Sequence, residues 1–227
     1  MTTNKPYSVV IVAGGKGLRA GGDVPKQFQL LGGVPILMHT IGAFYKFDNN
    51  IEIVVVLPEG YDTYWNDLCD KHQFDKPHNL AIGGETRFHS VLNGLKLVQD
   101  SGIVGIHDAA RPFVSNDVIA RCYSEAEIFE CGIVPVVEER NSVRVLNGYD
   151  SEPFDRTKIR IVQTPQVFPV PLLKNAYNAP YDDIFTDDAS VADADGIQIK
   201  LVEGDDRNIK ITTPFDFELG EWLVRGF

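Results

Sequence analysis

The stretch YSVVIVAGGKGLRAGGDVPKQ, residues 7–27, joins a buried-strand run to a glycine-rich loop, and its reading decides the fold. Tyr7–Ala13 is short and rich in β-branched residues, with apolar side chains on both faces, as expected of a strand covered on both sides in a parallel sheet. Similar runs recur at Ile51–Leu57, Ile103–His107 and Ile133–Val137. Between them lie segments with helical spacing, from Ile36 to Phe47, Tyr61 to His72, Ser90 to Val98 and Val118 to Phe129. Alternating strand and helix predicts an α/β fold, a doubly wound, mostly parallel sheet with helices on both faces. In such a sheet the ligand crevice lies beyond the carboxyl ends of the strands, which is where the glycine loop falls.

The rhythm breaks over residues 138–163. Ser142–Leu146 and Ile159–Gln163 read as two short strands around a middle containing Gly, Pro and Asp, and a protruding β-hairpin arm is expected there. A helical stretch from Pro171 to Tyr177, a polar segment at Thr186–Asp188, a strand at Gln198–Glu203 and a helix starting near Pro214 complete the chain. No repeats or low-complexity linkers interrupt it.

The 227 residues, 44% hydrophobic and 23% charged, suit one folding unit over 1–227 with the arm as an appendage. A net charge of -11 speaks against a nucleic-acid or anionic-membrane partner, so any phosphate site must be local. Three cysteines, Cys69, Cys122 and Cys131, form no CxxC pair and no even framework, which fits packing thiols in a reducing cytoplasm. Met1–Pro6 is short and polar, with no signal core, and the chain reads as a soluble cytoplasmic protein.

Gly14, Gly15 and Gly17 let backbone N–H groups approach an anion closely, and Lys16, Arg19 and Lys26 add positive charge to this acidic chain. Gly15-x-Gly17-x-x-Ala20 formally satisfies the dinucleotide-binding fingerprint. It fails on context, because Pro25, Gly32, Gly33 and Pro35 break the segment before the second strand, which ends near Leu57. No Gly-Lys-Ser/Thr ends the run, so the P-loop fails as well.

Ala13-Gly14-Gly15-x-Gly17-x-Arg19 with Pro25-Lys26-Gln27 resembles the signature of sugar-phosphate nucleotidyltransferases. Gly83-Gly84-x-x-Arg87-x-x-Ser90-Val91, His107-Asp108-Ala109-Ala110-Arg111-Pro112-Phe113 and Gln163-Thr164-Pro165-Gln166-x-Phe168 follow. Thr186-Asp187-Asp188-Ala189-Ser190 and Asn208-Ile209-Lys210-Ile211-Thr212 come last. Together and in this order they resemble the 2-C-methyl-D-erythritol 4-phosphate cytidylyltransferase family over nearly the whole chain. The resemblance implies a Rossmann-like nucleotidyltransferase fold that transfers CMP from CTP to a polyol phosphate, with Mg²⁺ or another divalent cation, in a homodimer.

By that resemblance Arg19 and Lys26 hold the triphosphate, Lys210 sits near the α-phosphate, and Ala13, Gly14, Gly15, Gly17, Gly83 and Ser90 bind CTP. Ser90 reads equally as an N-cap. Asp108 fits binding of acceptor hydroxyls, a share in holding Mg²⁺, or an ion pair with Arg111 that shapes the turn, and these uses can coexist. His107 reads as structural, and Thr186-Asp187-Asp188 as a helix cap with acid in the first turn. Arg111, Ser142 and Arg156 are the remaining candidate acceptor contacts, Arg156 reaching the neighbouring copy's site. Arg156 could instead pair with Asp155 or Glu152 on its own hairpin.

The chain departs from the family pattern at Asn141-Ser142, where an Asp-Thr pair is usual, and at Ala20-Gly21, where Met-Gly is usual. Serine keeps the hydroxyl, whereas asparagine exchanges a charge for a neutral amide that also donates. Transfer to ribitol 5-phosphate, a sister activity with nearly the same nucleotide motifs, is an alternative, and a non-catalytic nucleotide-binding module an alternative from another class. Ala109-Ala110 and the Thr186–Ser190 run favour the methylerythritol substrate, while the basic residues Arg19, Lys26 and Lys210 favour catalysis.

Overall fold

Alternate residues of β1 (Tyr7–Val12) serve two different cores in the computed structural model, which describes residues 5–15 and 24–226. After β1 come a small ladder of β2 (Leu30–Leu31) and β3 (Val34–Pro35), then α1 (Ile36–Phe47), β4 (Glu52–Leu57), α2 (Asp62–His72) and β5 (Asn79–Ile82). Next are α3 (Arg87–Leu95), β6 (Ile103–Asp108), α4 (Asn116–Phe129) and β7 (Gly132–Glu138). Val9 and Ile11 pack with Ile53 and Val55 against α1, α2 and α4. Val10 packs with Val54 and Val56 on the opposite face, against Phe88, Val91 and Leu95 of α3. Strand side chains alternate between faces, so a run with no polar break is what two covered faces require. Each such side chain contributes about 1.5–3 kcal/mol when fully buried.

The remaining elements are β8 (Val143–Asn147), β9 (Asp150–Phe154), β10 (Arg160–Val162), β11 (Gln166–Pro169), α5 (Val170–Ala176), α6 (Asp188–Ala194), β12 (Ile199–Glu203) and α7 (Pro214–Arg225). The main sheet runs β10-β7-β11-β6-β1-β4-β5, with β12 also paired to β7. β1 is parallel to both β4 and β6, while β10 and β11 run antiparallel to their neighbours. The chain leaves β1 for β4 and β5 on one side and returns to β6 on the other. The gap between β1 and β6 is therefore the switch point at which open α/β sheets bind ligands.

The arm differs from its expected form. Its hairpin pairs β8 with β9, not with Ile159–Gln163, and Arg160–Val162 instead joins the main sheet along β7. The reason is the two-residue Gly148-Tyr149 turn. Asn147 pairs with Asp150, and Gly148 supplies the positive φ, +62°, that a two-residue hairpin loop needs. Two strands of the main sheet, β5 and β11, have no counterpart among the strands expected from the sequence. β5 is a four-residue strand with one buried residue, and β11 begins on a polar but fully buried Gln166. Among the described residues no helix is long and apolar enough to cross a membrane.

Candidate active site

Val12 and Asp108 are register partners across β1 and β6, so the loop leaving β1 and the Asp108 carboxylate meet at the switch point. A cleft of about 310 Å³ opens there, and Ala13, Gly14, Gly15, Lys26, Ser90, Asp108 and Lys210 all line it. Gly83 lies directly behind the wall. A Cβ on Gly14 would come within 2.9 Å of Ser90 Oγ, and one on Gly83 within 3.2 Å of the Gly14 Cα. Glycine at both positions lets the first loop and the turn before α3 touch backbone to backbone. Gly17 and Arg19, with Lys16, lie outside the described residues.

Ser90 is not an N-cap. Helix α3 begins three residues earlier, at Arg87, and Thr86 caps it by accepting from the His89 N–H. The Ser90 hydroxyl instead donates to the Thr86 carbonyl and accepts from the Gly84 N–H, both at 3.0 Å, which fixes the turn that forms one wall of the cleft. Gln27 performs a similar task for the glycine loop. It is 3% exposed, and its Nε2 donates to the carbonyls of Ala13 at 2.7 Å and Gly15 at 3.3 Å. Because the peptide unit is planar and trans, drawing the Ala13 carbonyl to Gln27 aims the Gly14 N–H away from it.

Asp108 is the electrostatic centre. Lys210 Nζ lies 2.9 Å and Arg111 Nε 3.5 Å from its Oδ2, and Arg87 Nε lies 3.7 Å from its Oδ1. Burial alone would raise this carboxyl, but the charges of Arg87, Lys210 and Arg111 outweigh it and hold the group well below the usual carboxylate range. Asp108 is thus an ionised acceptor at neutral pH. The segment carrying Lys210 is laid beside it by Ile211 N donating to the Ala110 carbonyl at 2.8 Å and Asn208 Nδ2 donating to the Thr164 carbonyl at 2.8 Å. Arg111 is anchored in turn by the Asn208 carbonyl at 2.7 Å. The Lys210 side chain keeps 43% of its surface exposed, and so can turn to an incoming phosphate.

Ser142 and Arg156 do not join this cleft. They lie on the arm, where Arg156 donates to the Arg140 carbonyl and shares a hollow of about 260 Å³ with Glu138 and Arg160. Asp155 accepts from the Thr157 N–H and hydroxyl, and among the described residues no ion pair joins Arg156 to it or to Glu152. Asp187 caps α6 in a reciprocal box with Ser190, as the helix-cap reading of that motif expects. Arg87 has no role assigned from the sequence, and Asp188 only that of acid in a helix's first turn, which it fills. Arg87 lines the cleft, and fully buried Asp188 grips it. Arg87 stands inside the quoted Gly83–Val91 motif, which was the available signal for it.

Among the described residues no cluster of three or more His, Cys, Asp or Glu could hold a metal alone. The cleft offers two carboxylates, Asp108 and Glu85. That set suits Mg²⁺, which takes one or two carboxylates and completes its octahedron with phosphate oxygens and water, better than a structural zinc.

A model of the 2-C-methyl-D-erythritol 4-phosphate cytidylyltransferase family matches residues 7–226. The chain is similar to proteins of that description from Phocaeicola vulgatus, 53% identical over 95% of this chain and 98% of the relative, and Bacteroides thetaiotaomicron, 53% identical over 96% and 99%. Among solved structures, the 2-C-methyl-D-erythritol 4-phosphate cytidylyltransferase of Francisella tularensis superposes with a TM-score of 0.79 at 31% identity, covering 96% of this chain and 99% of that one.

Proposed function

We infer that the cleft at the ends of β1 and β6 is where this chain, which belongs to the 2-C-methyl-D-erythritol 4-phosphate cytidylyltransferase family, moves CMP from CTP to 2-C-methyl-D-erythritol 4-phosphate. The chain is a nucleotidyltransferase of isoprenoid precursor biosynthesis. The observation that carries the placement is the convergence of Lys26, Lys210 and the Gly14–Gly15 backbone on one cleft beside ionised Asp108.

An oxygen of the acceptor phosphate attacks the α-phosphorus of CTP. The bond to the bridging oxygen breaks in line, and pyrophosphate leaves with that electron pair. Little covalent chemistry falls to the protein, whose work is alignment and charge neutralisation. Gly14, Gly15 and the Gly83–Ser90 turn seat the nucleotide. Lys26, with Arg19, balances charge developing on the departing pyrophosphate. Lys210 leaves Asp108 for the α-phosphate under attack, and Asp108 accepts hydrogen bonds from acceptor hydroxyls. Asp108 and Glu85 are the carboxylates of the cleft that would help to hold a divalent cation, which would screen the charge of the triphosphate.

One catalytic unit spans 1–227, and within residues 138–163 the β8–β9 hairpin serves as the dimerisation arm. Leu146, 79% exposed, and Tyr149, Val145 and Phe154 leave apolar surface on a two-stranded hairpin too small for a core of its own, which supports burial against a second copy. Ser142 and Arg156 then act on the acceptor in the neighbouring copy's cleft. The free thiols Cys122 and Cys131 suit the cytoplasm.

The test is pyrophosphate release with CTP, UTP and ATP against a panel containing 2-C-methyl-D-erythritol 4-phosphate and ribitol 5-phosphate. CTP with the methylerythritol acceptor should be turned over fastest. Equal rates with UTP would sink the cytosine assignment, and faster turnover of ribitol 5-phosphate would replace the acceptor.

A further inference from the structure

We propose that Arg87 and Asp188 form a part-buried positioning pair that keeps the Asp108 carboxylate aimed at the acceptor. The proposal rests on the reading that Asp108 binds acceptor hydroxyls.

Arg87 opens α3 and Asp188 opens α6, and the guanidinium fork closes on the carboxylate through Nη1 at 3.0 Å and Nη2 at 2.6 Å. The Tyr177 hydroxyl donates to the same carboxylate at 2.7 Å, and Asp188 is fully buried. Both terminal nitrogens of Arg87 are therefore committed away from Asp108. What Arg87 turns to Asp108 is its Nε edge, 3.7 Å from Oδ1, too long for a hydrogen bond but close enough to attract. Among the described residues the hydrogen bond and closest contacts that Asp108 accepts from Arg111 and Lys210 fall on Oδ2. Oδ1 is thus held by charge alone and stays available to a ligand hydroxyl.

A bidentate Arg–carboxylate pair is directional, so each partner restrains the other. Without Asp188 the fork has nothing to grip in its own pocket, and the nearest carboxylate is Asp108. A fork closed on Asp108 would occupy the oxygen that the acceptor needs. Without the guanidinium, Lys210 and Arg111 both pull on Oδ2 with no opposing charge, and the carboxylate turns with them. Either loss reaches the acceptor through Asp108, whereas the hydrogen bonds that fix the glycine loop and the Ser90 turn are made by Gln27, Gly84, Thr86 and Ser90 and use neither side chain.

Steady-state kinetics on four variants test this. Asp188→Asn and Arg87→Lys, whose point charge cannot span both carboxylates, should each raise the KM for the acceptor about tenfold, the scale of one hydrogen bond to a charged group, with the KM for CTP nearly unchanged. The triple variant Arg87→Met/Asp188→Leu/Tyr177→Phe replaces the whole pair by apolar groups, an exchange that buried ion pairs often tolerate without loss of stability. It should keep the CTP-induced rise in Tm and still show the raised acceptor KM, because nothing positions Asp108. A wild-type acceptor KM in the triple variant, or in Asp188→Asn, would mean that the pair only ties α3 to α6, and would overturn the proposal. Asp108→Asn separates this failure from that of the underlying reading. A raised acceptor KM in Asp108→Asn beside normal values in the pair variants removes the positioning role alone, whereas a normal value in Asp108→Asn removes the reading and the proposal together.

Discussion

Acidifying the protein from pH 7 to pH 5 should cost about 2 kcal/mol of stability through one side chain, His107. Its ring is fully buried at the end of β6, and burial pushes its pKa from the ordinary 6.5 down to about 4, against smaller opposing contributions from the Arg111 carbonyl and Asp108. The hydrogen bonds explain why the neutral ring fits. Nε2 lies 3.0 Å from the Arg111 carbonyl, which only accepts, so Nε2 carries the proton. Nδ1 then accepts from the Thr164 hydroxyl at 3.0 Å, and that hydroxyl oxygen accepts from the Asp108 N–H at 3.1 Å. A second proton, on Nδ1, would break the bond from the threonine hydroxyl and place a charge in a fully buried site. The unfolded histidine binds protons near 6.5 and the folded one only near 4, so the stabilisation is complete above the first value and lost as pH falls through the second. At pH 5 the unfolded ring is about thirtyfold more charged than neutral, which converts to about 2 kcal/mol. Urea unfolding at pH 7 and pH 5 checks it, comparing wild type with His107→Gln, which keeps a donor and an acceptor but does not titrate. Wild type should lose about 2 kcal/mol more than the variant at constant m-value. Parallel losses in the two proteins would refute the reasoning.

Lys210→Ala should lower kcat by about a hundredfold, the usual loss for one preorganised charge, while its Tm stays near wild type because the side chain is part-exposed. An unchanged kcat in a folded variant would remove Lys210 from the chemistry. Gly14→Ala places a Cβ 2.9 Å from Ser90 Oγ and should weaken CTP binding about tenfold by calorimetry, the fold remaining intact; wild-type affinity would show that the loop and turn need not touch. Mixing Lys26→Ala with Arg156→Ala subunits should restore about a quarter of wild-type activity, since random pairing gives half heterodimers with one intact site of two. No recovery in a mixture shown to contain heterodimers would confine Arg156 to its own chain.

The layered sheet was legible because its signal is local and repeated. Ile36–Phe47 reads as a helix from the spacing of its apolar residues, and α1 spans those residues because that spacing puts Leu37, Ile41 and Phe44 on one face of the sheet. The arm was half legible for an equally physical reason. Arg160–Val162 is a short strand whose Ile161 and Val162 are only partly covered, and such a strand looks the same whether it pairs with β8 or with β7. Its partner is a tertiary fact. The Gly148-Tyr149 dipeptide was the local clue that the hairpin closes earlier.

Charge at the site follows the same rule more severely. Asp108 could be found because it ends a strand, and Lys210 because it stands inside a motif; Arg87 and Asp188 stand inside motifs too, but they are 101 residues apart and nothing periodic shows that they pair. Net charge is no guide either. Against a chain at -11, the described lining of the cleft carries three cations, Lys26, Arg87 and Lys210, and two carboxylates, Asp108 and Glu85, a surplus of one. One of those cations, Arg87, is already committed to Asp188 behind the wall. A nucleoside triphosphate and a phosphate monoester together bring several negative charges into that space, more than such a balance neutralises. The deficit is the physical ground for proposing a divalent cation and a role for Arg19. It is also the reason why moving Lys210 from Asp108 to the α-phosphate requires Arg87 and Arg111 to remain as counter-charges to the carboxylate it leaves.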